Sequence, residues 1–115
     1  MSAAQMSFDE VFTQLQAWGT EMWRKIYIRE GAGDNHFGAP MGSLRGLAKK
    51  LKRDHALALR LWETGNTDAV ILATMLFDAS RLTEPEVESM VRSLTYVRLV
   101  DELVYNTIAD TPFEA

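Results

Sequence analysis

The chain has 115 residues and a net charge of −4, and its hydrophobic fraction of 47% and charged fraction of 24% are typical of one globular domain. It has no cysteine, which excludes disulfides, a thiolate nucleophile and cysteine-bound metal, and no apolar run is long enough to span a membrane. The net negative charge argues against nucleic-acid binding by the whole protein surface, but it is compatible with one local stripe of basic residues. Since the first ten residues do not have the pattern of a secretory signal, we expect a cytoplasmic protein.

The first predicted element is a helix over residues 8–18, because Ser7 and Glu10 have the spacing of a capping box. A second helix is predicted over residues 20–29. Its predicted apolar side consists of Met22, Trp23 and Ile26. Four glycines and a proline then predict a loop over residues 30–42.

The middle of the chain contains three more predicted helices. Ser43 is the expected cap of the first of them and Asp54 of the second, which should end at Gly65 in a left-handed conformation. The third helix begins at Asn66 or Thr67 and is apolar on nearly all sides. We therefore expect it to be the most buried element of the fold.

Two helices complete the pattern. A capping box spans Thr83 to Glu86, with Pro85 in the first turn where proline is tolerated. The last helix is predicted to run from about Tyr96 to Ala109. Its expected apolar arc consists of Val97, Val100, Val104 and Ile108, with Asp101 at the edge beside Arg98 and Tyr105.

These patterns predict an all-α fold of about six or seven short antiparallel helices, in one domain over residues 1–115. Residues 1–6 are expected to be disordered and residues 111–115 to form a tail. Helices of this length with short connections suit a helix-pair solenoid. A compact orthogonal bundle would show the same periodicity, so both arrangements stay open.

A basic stripe is predicted on the third helix, because four cations recur at i, i+4, i+7 and i+8. They are Arg45, Lys49, Lys52 and Arg53. Such a row is able to lie along a phosphate backbone, but a charge run of this kind is also typical of a helix face exposed to solvent.

The glycine loop reads GAGDNHFGAP and has neither of the glycine patterns that cradle nucleotide phosphates. With only His36 and His55 available, and on different elements, we expect no metal site and no cofactor. We expect Asp34 and Asn35 to form a turn and Phe37 to fill the core beneath it. The sequence contains three tryptophans: Trp18, Trp23 and Trp62. They could stack on bases or pack in the core, and we expect them to pack in the core.

The loop signature GAGDNHFG and the segment LRGLAKKLKRDHALALRLWETGN resemble the DNA alkylation repair family, over roughly residues 15–110. The resemblance implies a HEAT-like helical-repeat fold. It also implies recognition of alkylated bases in duplex DNA and, in full members, their excision by an N-glycosylase reaction. The chain is expected to correspond to the N-terminal half of the family domain, so the resemblance leaves catalysis by this chain open.

The resemblance places the catalytic carboxylate at Asp101, where it would stabilise cationic character on the sugar as the glycosidic bond breaks. A carboxylate bonded to a neighbouring helix or paired with Arg98 is the structural alternative. Two positions depart from the active members. Val97 stands where they have a tryptophan, and Arg98 stands where an aspartate commonly follows it.

The rival hypothesis is a non-catalytic scaffold or protein-interaction module. An array that stops after a few helices would expose an apolar end. We therefore also expect a homodimer or a protein partner at the helix over residues 96–108 and the tail over residues 111–115. A fragment of a longer protein is the third alternative.

Overall fold

The computed structural model describes residues 6–111, and within them the chain forms only helices and connecting segments. The all-α prediction is confirmed. The helices are α1 (Phe8–Ala17), α2 (Glu21–Arg29), α3 (Met41–Leu51), α4 (His55–Glu63), α5 (Thr67–Leu76), α6 (Glu84–Ser93) and α7 (Val97–Asn106), with 3-10 turns at Ala79–Arg81 and Ile108–Asp110. Disorder was predicted for residues 1–6 and a tail for residues 111–115; of these, residues 1–5 and 112–115 lie outside the described residues.

Four helix starts that were predicted from a capping side chain are confirmed. Ser7 and Thr83 each complete a capping box, and Asp54 and Asn66 accept hydrogen bonds from the first turns of α4 and α5. Gly65 has the predicted positive φ, +69°, between α4 and α5. These helix ends can be predicted from the sequence because each capping side chain finds its hydrogen-bond partner within three residues.

The start of α3 differs from the prediction. The helix begins at Met41, directly after Pro40, and Ser43 lies within its first turn rather than at its cap. Pro40 has φ −61° and ψ 141°, so its ring sets the extended backbone from which the helix begins. Residue 40 therefore ends the loop two residues earlier than expected.

The buried faces of α2 and α7 also differ from the predicted ones. In α2 the buried residue is Tyr27, whereas Met22 is 64% exposed. In α7 the buried residues are Leu99 and Leu103, and the predicted arc is wrong because Val97 is 70% exposed. Both helices have two apolar stripes, and contacts with distant helices decide which of them is buried.

Helix α5 is the most buried element of the described residues, as predicted. Nine of its ten residues are buried. It packs against α4 along its length, and α3 and α7 pack against it as well. The folded chain measures 40 × 38 × 20 Å, and the short dimension corresponds to two layers of helices at the usual spacing of about 10 Å.

Helices α3, α5 and α7 meet at their C-terminal ends. The N–H of Asp54, after α3, donates to the carbonyl of Leu76 in α5 over 3.0 Å. The hydroxyl of Thr107, after α7, donates to the carbonyl of Thr74 in α5 over 2.6 Å. The segments that follow α3 and α7 are therefore both anchored to the C-terminal end of α5.

The glycine loop is held by a buried carboxylate from α5. Asp68 accepts hydrogen bonds from the N–H groups of Phe37 at 2.7 Å, Gly38 at 3.2 Å and Ala39 at 2.6 Å. Phe37 packs against the core, as predicted. Because an internal carboxylate occupies these amides, the loop presents none of the three to an external phosphate.

Candidate nucleic-acid interface

One ion pair joins α3 to α7, and a second joins the segment after α3 to the 3-10 turn after α7. Arg45 lies 3.3 Å from Glu102, and Arg53 lies 3.1 Å from Asp110. Both pairs join residues 57 positions apart, so the two helices run in the same direction and in register. We call the exposed strip between them the α3–α7 surface. It consists of Arg45, Lys49, Asp101, Glu102 and Tyr105.

Asp101 is exposed and borders two adjoining clefts on this surface. The first, of about 470 Å³, is also lined by Glu30, Tyr96, Val97, Arg98 and Glu102. The second, of about 330 Å³, is lined by Arg45, Glu102, Tyr105 and Asn106 besides Asp101. Within residues 6–111 the Asp101 carboxylate has no hydrogen-bond or ion-pair partner, so it faces solvent at the boundary of both clefts.

The alternative in which Arg98 pairs with Asp101 is wrong, because Arg98 binds Glu30 instead. Its Nε and Nη2 atoms each lie 2.8 Å from a carboxylate oxygen of Glu30, and the hydroxyl of Tyr96 donates to the same carboxylate. These hydrogen bonds, first that of Arg98, lower the pKa of Glu30 from 4.5 to about 2. The pair therefore stays charged at neutral pH and ties the start of the glycine loop to the start of α7.

The same cluster raises the pKa values of the two partners of Glu30, which are Tyr96 and Arg98. Burial, and then the hydrogen bond to Glu30, raises the pKa of Tyr96 to about 12. The hydrogen bonds to Glu30 raise the pKa of Arg98 above its already high value. Sequence spacing could not find this cluster, because Glu30 and Arg98 are 68 positions apart.

Only two of the four cations of the predicted basic stripe lie in a helix. Arg45 and Lys49 lie on the exposed side of α3, but the helix ends at Leu51. Lys52 follows with φ +59°, and Arg53 turns away to donate to the carbonyl of Phe77 over 2.5 Å. The stripe breaks because the chain must turn after Leu51 to begin α4.

The unpaired cations of this region are lysines. In the part of the chain that the structure describes, Lys49, Lys50 and Lys52 have no carboxylate within 4.0 Å. Arg45 is paired, although its side chain remains 55% exposed, and Glu102 also accepts a hydrogen bond from Asn106 over 2.9 Å. Lys49 and the outer edge of Arg45 are thus available to an external anion.

The tryptophans are not part of this surface. Trp18, Trp23 and Trp62 are half-buried and pack against the core, as predicted. Among residues 6–111, Tyr105 is the most exposed aromatic residue, at 85%. The sequence pattern indicated only that it lies beside Asp101. Its exposure was not predictable, since it depends on which stripe of α7 is buried.

Between residues 6 and 111, no group of three or more histidine, aspartate or glutamate side chains is placed to hold a metal ion. No helix in the same range is long and apolar enough to cross a membrane.

The chain matches known proteins over most of its length. The family model described as DNA alkylation repair enzyme matches residues 11–113. Two uncharacterized proteins, one from Listeria monocytogenes and one from Listeria innocua, are each 29% identical over 87 residues. Each of these alignments covers 72% of this chain and 39% of the relative.

A solved structure provides the comparison of folds. It represents a new family of proteins related to the HEAT-like repeat DNA glycosylases with affinity for branched DNA structures, and it matches with a TM-score of 0.86 at 33% identity. The match covers 93% of this chain and 46% of that one, so this chain spans less than half of each relative named here. The predicted HEAT-like helical-repeat fold is confirmed.

Proposed function

The chain belongs to the DNA alkylation repair enzyme family, and on that basis we propose that it is a single DNA-binding domain that recognises branched DNA through the α3–α7 surface. The observation that supports the proposal is that Arg45 and the unpaired Asp101 line one cleft, with Lys49 exposed one turn after Arg45 on α3. The similar structure, which has affinity for branched DNA, supports the choice of substrate.

The cations have different roles in this proposal. Lys49 contacts phosphate as a point charge, while Arg45 uses the N–H groups that its bond to Glu102 leaves free. Lys52 and Arg53 add phosphate contacts where α3 ends, with one Arg53 nitrogen kept on the carbonyl of Phe77. Because the whole chain has a net charge of −4, binding depends on this local concentration of positive charge.

Salt dependence tests the proposal. Four phosphate contacts predict a slope of log affinity against log salt of about −4, so affinity should fall roughly 250-fold between 50 and 200 mM salt. The measurement is fluorescence anisotropy with a labelled four-way DNA junction and a linear duplex of equal length. Absence of binding to both at 50 mM salt, or a slope near zero, would contradict DNA binding.

Excision of alkylated bases is the second candidate, favoured by the free carboxylate of Asp101 at the boundary of two clefts. In this role Asp101 stabilises positive charge on the sugar as the base leaves. We expect Asp101→Asn to abolish release of N-alkylated bases and to leave DNA affinity within about twofold, because the side chain supports no other contact. Equal release by the variant would rule out Asp101, and no release by the unaltered protein would leave binding alone as the function.

A non-catalytic interaction module remains the rival from another class. The observation in its favour is the exposed outer side of α7, where Val97, Val104 and Tyr105 face solvent. In this case a second copy of the chain covers that side of α7. Light scattering at high protein concentration separates the two proposals, since a monodisperse monomer contradicts self-association.

A further inference from the structure

His36 is a buried histidine whose ring has no hydrogen-bond partner among the described residues. Its exposed fraction is 7%, and within residues 6–111 neither Nδ1 nor Nε2 meets a donor or an acceptor. The ring of Tyr27 meets it edge-on, with 5.8 Å between the ring centroids. Because nearly all buried polar side chains are hydrogen-bonded, an imidazole that binds nothing within the fold is a candidate for binding a group from outside it.

The ring of His36 lines a polar cleft of about 320 Å³ at the start of α2, which we call the α2 cleft. Its walls are the glycine loop and the turn between α1 and α2. Thr20 holds them together, because its N–H donates to the carbonyl of Gly38 over 2.9 Å and its hydroxyl donates to the same carbonyl over 3.0 Å. A Cβ at position 19 would clash with the carbonyl oxygen of Phe37, so Gly19 permits this close contact. Backbone therefore fixes the cleft on both sides.

The α2 cleft offers several hydrogen-bond donors. Within residues 6–111 the N–H groups of Glu21 and Met22, in the first turn of α2, have no acceptor. Arg24 also lines the cleft and is exposed, and no described carboxylate lies within 4.0 Å of it. The stem of Arg24 lies against Gly38, whose missing Cβ makes room for it. The guanidinium is thus held beside the cleft without being engaged by a carboxylate.

These donors together suit an oxyanion. A neutral imidazole donates one N–H, a guanidinium donates several, and free N–H groups at the start of a helix favour negative charge. The opposing feature is the exposed carboxylate of Glu21, which lines the same cleft. It is outnumbered, because the helix Glu21–Arg29 contains three cations and one carboxylate. Solvent also screens the repulsion from an exposed charge.

We propose that the α2 cleft binds a phosphate group. Its oxygens accept hydrogen bonds from the first N–H groups of α2, from the guanidinium of Arg24 and from the imidazole of His36. Because both ring nitrogens are out of contact with solvent, binding includes a movement of the exposed Arg24 side chain that opens the edge of the His36 ring to the cleft. The phosphate belongs either to a free phosphate compound or to a DNA strand. The site goes beyond the proposed function, since it uses none of the residues of the α3–α7 surface.

NMR titration with inorganic phosphate, at constant pH and ionic strength, tests the site. We expect saturable shifts of the Glu21 and Met22 amides and of the His36 ring nitrogens, with a Kd of about 1–10 mM. Arg24→Gln should weaken binding at least roughly tenfold, because a charge-assisted hydrogen bond is lost. The matched control is Arg92→Gln, which removes a cation from the exposed side of α6 and should leave the Kd within about twofold. Glu21→Gln should tighten binding by about two- to fivefold, because it removes a like charge.

His36→Phe separates a binding role of the histidine from a packing role. Phenylalanine keeps an aromatic ring and removes both nitrogens, so phosphate binding should weaken about three- to tenfold while the melting temperature stays equal or rises. Equal phosphate affinity of His36→Phe and the unaltered protein, weaker binding by Glu21→Gln, or no saturable shift at all would overturn the site. If His36→Phe does not fold, the opposite effects expected for Arg24→Gln and Glu21→Gln decide.

Junction binding identifies the source of the phosphate. If Arg24→Gln and His36→Phe weaken binding of the four-way junction as much as they weaken binding of inorganic phosphate, the ligand is a phosphodiester of DNA. Unchanged junction affinity in both variants, together with weaker phosphate binding, assigns the site to a free phosphate compound. If the unaltered protein binds no DNA, the proposed function fails, whereas the NMR titration still decides on this site.

Discussion

Substitution of Asp68 by alanine is expected to lower the free energy of unfolding by about 3–5 kcal/mol, the largest stability loss that we predict for this chain. The variant loses the acceptor for the N–H groups of Phe37, Gly38 and Ala39, which lie 2.6–3.2 Å from the carboxylate. Asp68 is completely buried, so water cannot replace it as the acceptor. Urea denaturation followed by circular dichroism measures the loss.

Asp101→Ala is the matched control for Asp68→Ala, since it removes the same side chain from an exposed position without hydrogen-bond partners in residues 6–111. Its free energy of unfolding should stay within about 0.5 kcal/mol of the unaltered protein. The free energy of unfolding of Asp68→Asn should lie between those of the two alanine variants. Its amide oxygen still accepts a hydrogen bond, but its NH₂ group is a donor that faces other donors. A loss below about 1 kcal/mol for Asp68→Ala would show that the loop is held by other contacts.

Gly38→Ala is expected to cost at least about 3 kcal/mol, from backbone strain and overpacking together. Gly38 has φ +86°, which disfavours any side chain. An added Cβ would lie 2.6 Å from the carbonyl oxygen of Thr20 and 2.9 Å from the amide nitrogen of Arg24, and closer still to the Arg24 side chain. The α2 backbone cannot retreat easily, because Thr20 itself donates to the carbonyl of Gly38 over 2.9 Å.

Two other glycines separate the causes of this loss. Gly33 has φ +81° with open space around it, so Gly33→Ala should cost only the strain, about 1–2 kcal/mol. Gly46 lies within α3 and is also unobstructed, so Gly46→Ala should stabilise the protein by about 0.5–1 kcal/mol. Equal losses for Gly33→Ala and Gly38→Ala would mean that close packing against α2 contributes nothing.

The sequence predicted the features that depend on neighbouring residues. Ser7, Asp54, Asn66 and Thr83 each mark a helix start because their side chains bind backbone groups two or three positions ahead. The burial of α5 was predictable as well, since a helix that is apolar on nearly all sides has no side to offer to solvent. The motifs of residues 31–66 also identified the family.

The incorrect predictions concern features that depend on contacts between residues far apart in the sequence. In α7 the local pattern does not distinguish the stripe of Leu99 and Leu103 from that of Val97 and Val104, and packing against α5 selects the first. One signal was overlooked. Asp68 stands in the most apolar helix of the chain, and a lone carboxylate in such a helix indicates buried donors nearby.

In the candidate interface, Arg45 and Asp101 line one cleft, and Lys49 is exposed one turn after Arg45 on α3. The sequence singled out these three residues, and their roles in binding or catalysis stay predictions. The sequence could not show that Arg45 is paired with Glu102 or that Arg53 is turned toward Phe77, because both contacts join segments far apart in the chain.

DNA affinity of two double variants with the same change of charge tests the proposed interface most directly. Arg45→Gln with Lys49→Gln removes two cations from the α3–α7 surface, whereas Arg60→Gln with Arg92→Gln removes two from the exposed sides of α4 and α6. We predict that the first variant binds a four-way junction at least roughly tenfold more weakly, with the salt slope reduced by about 2, and that the second binds within about twofold of the unaltered protein. Equal weakening of both variants, or a larger loss for the second, would contradict the assignment of DNA binding to this surface.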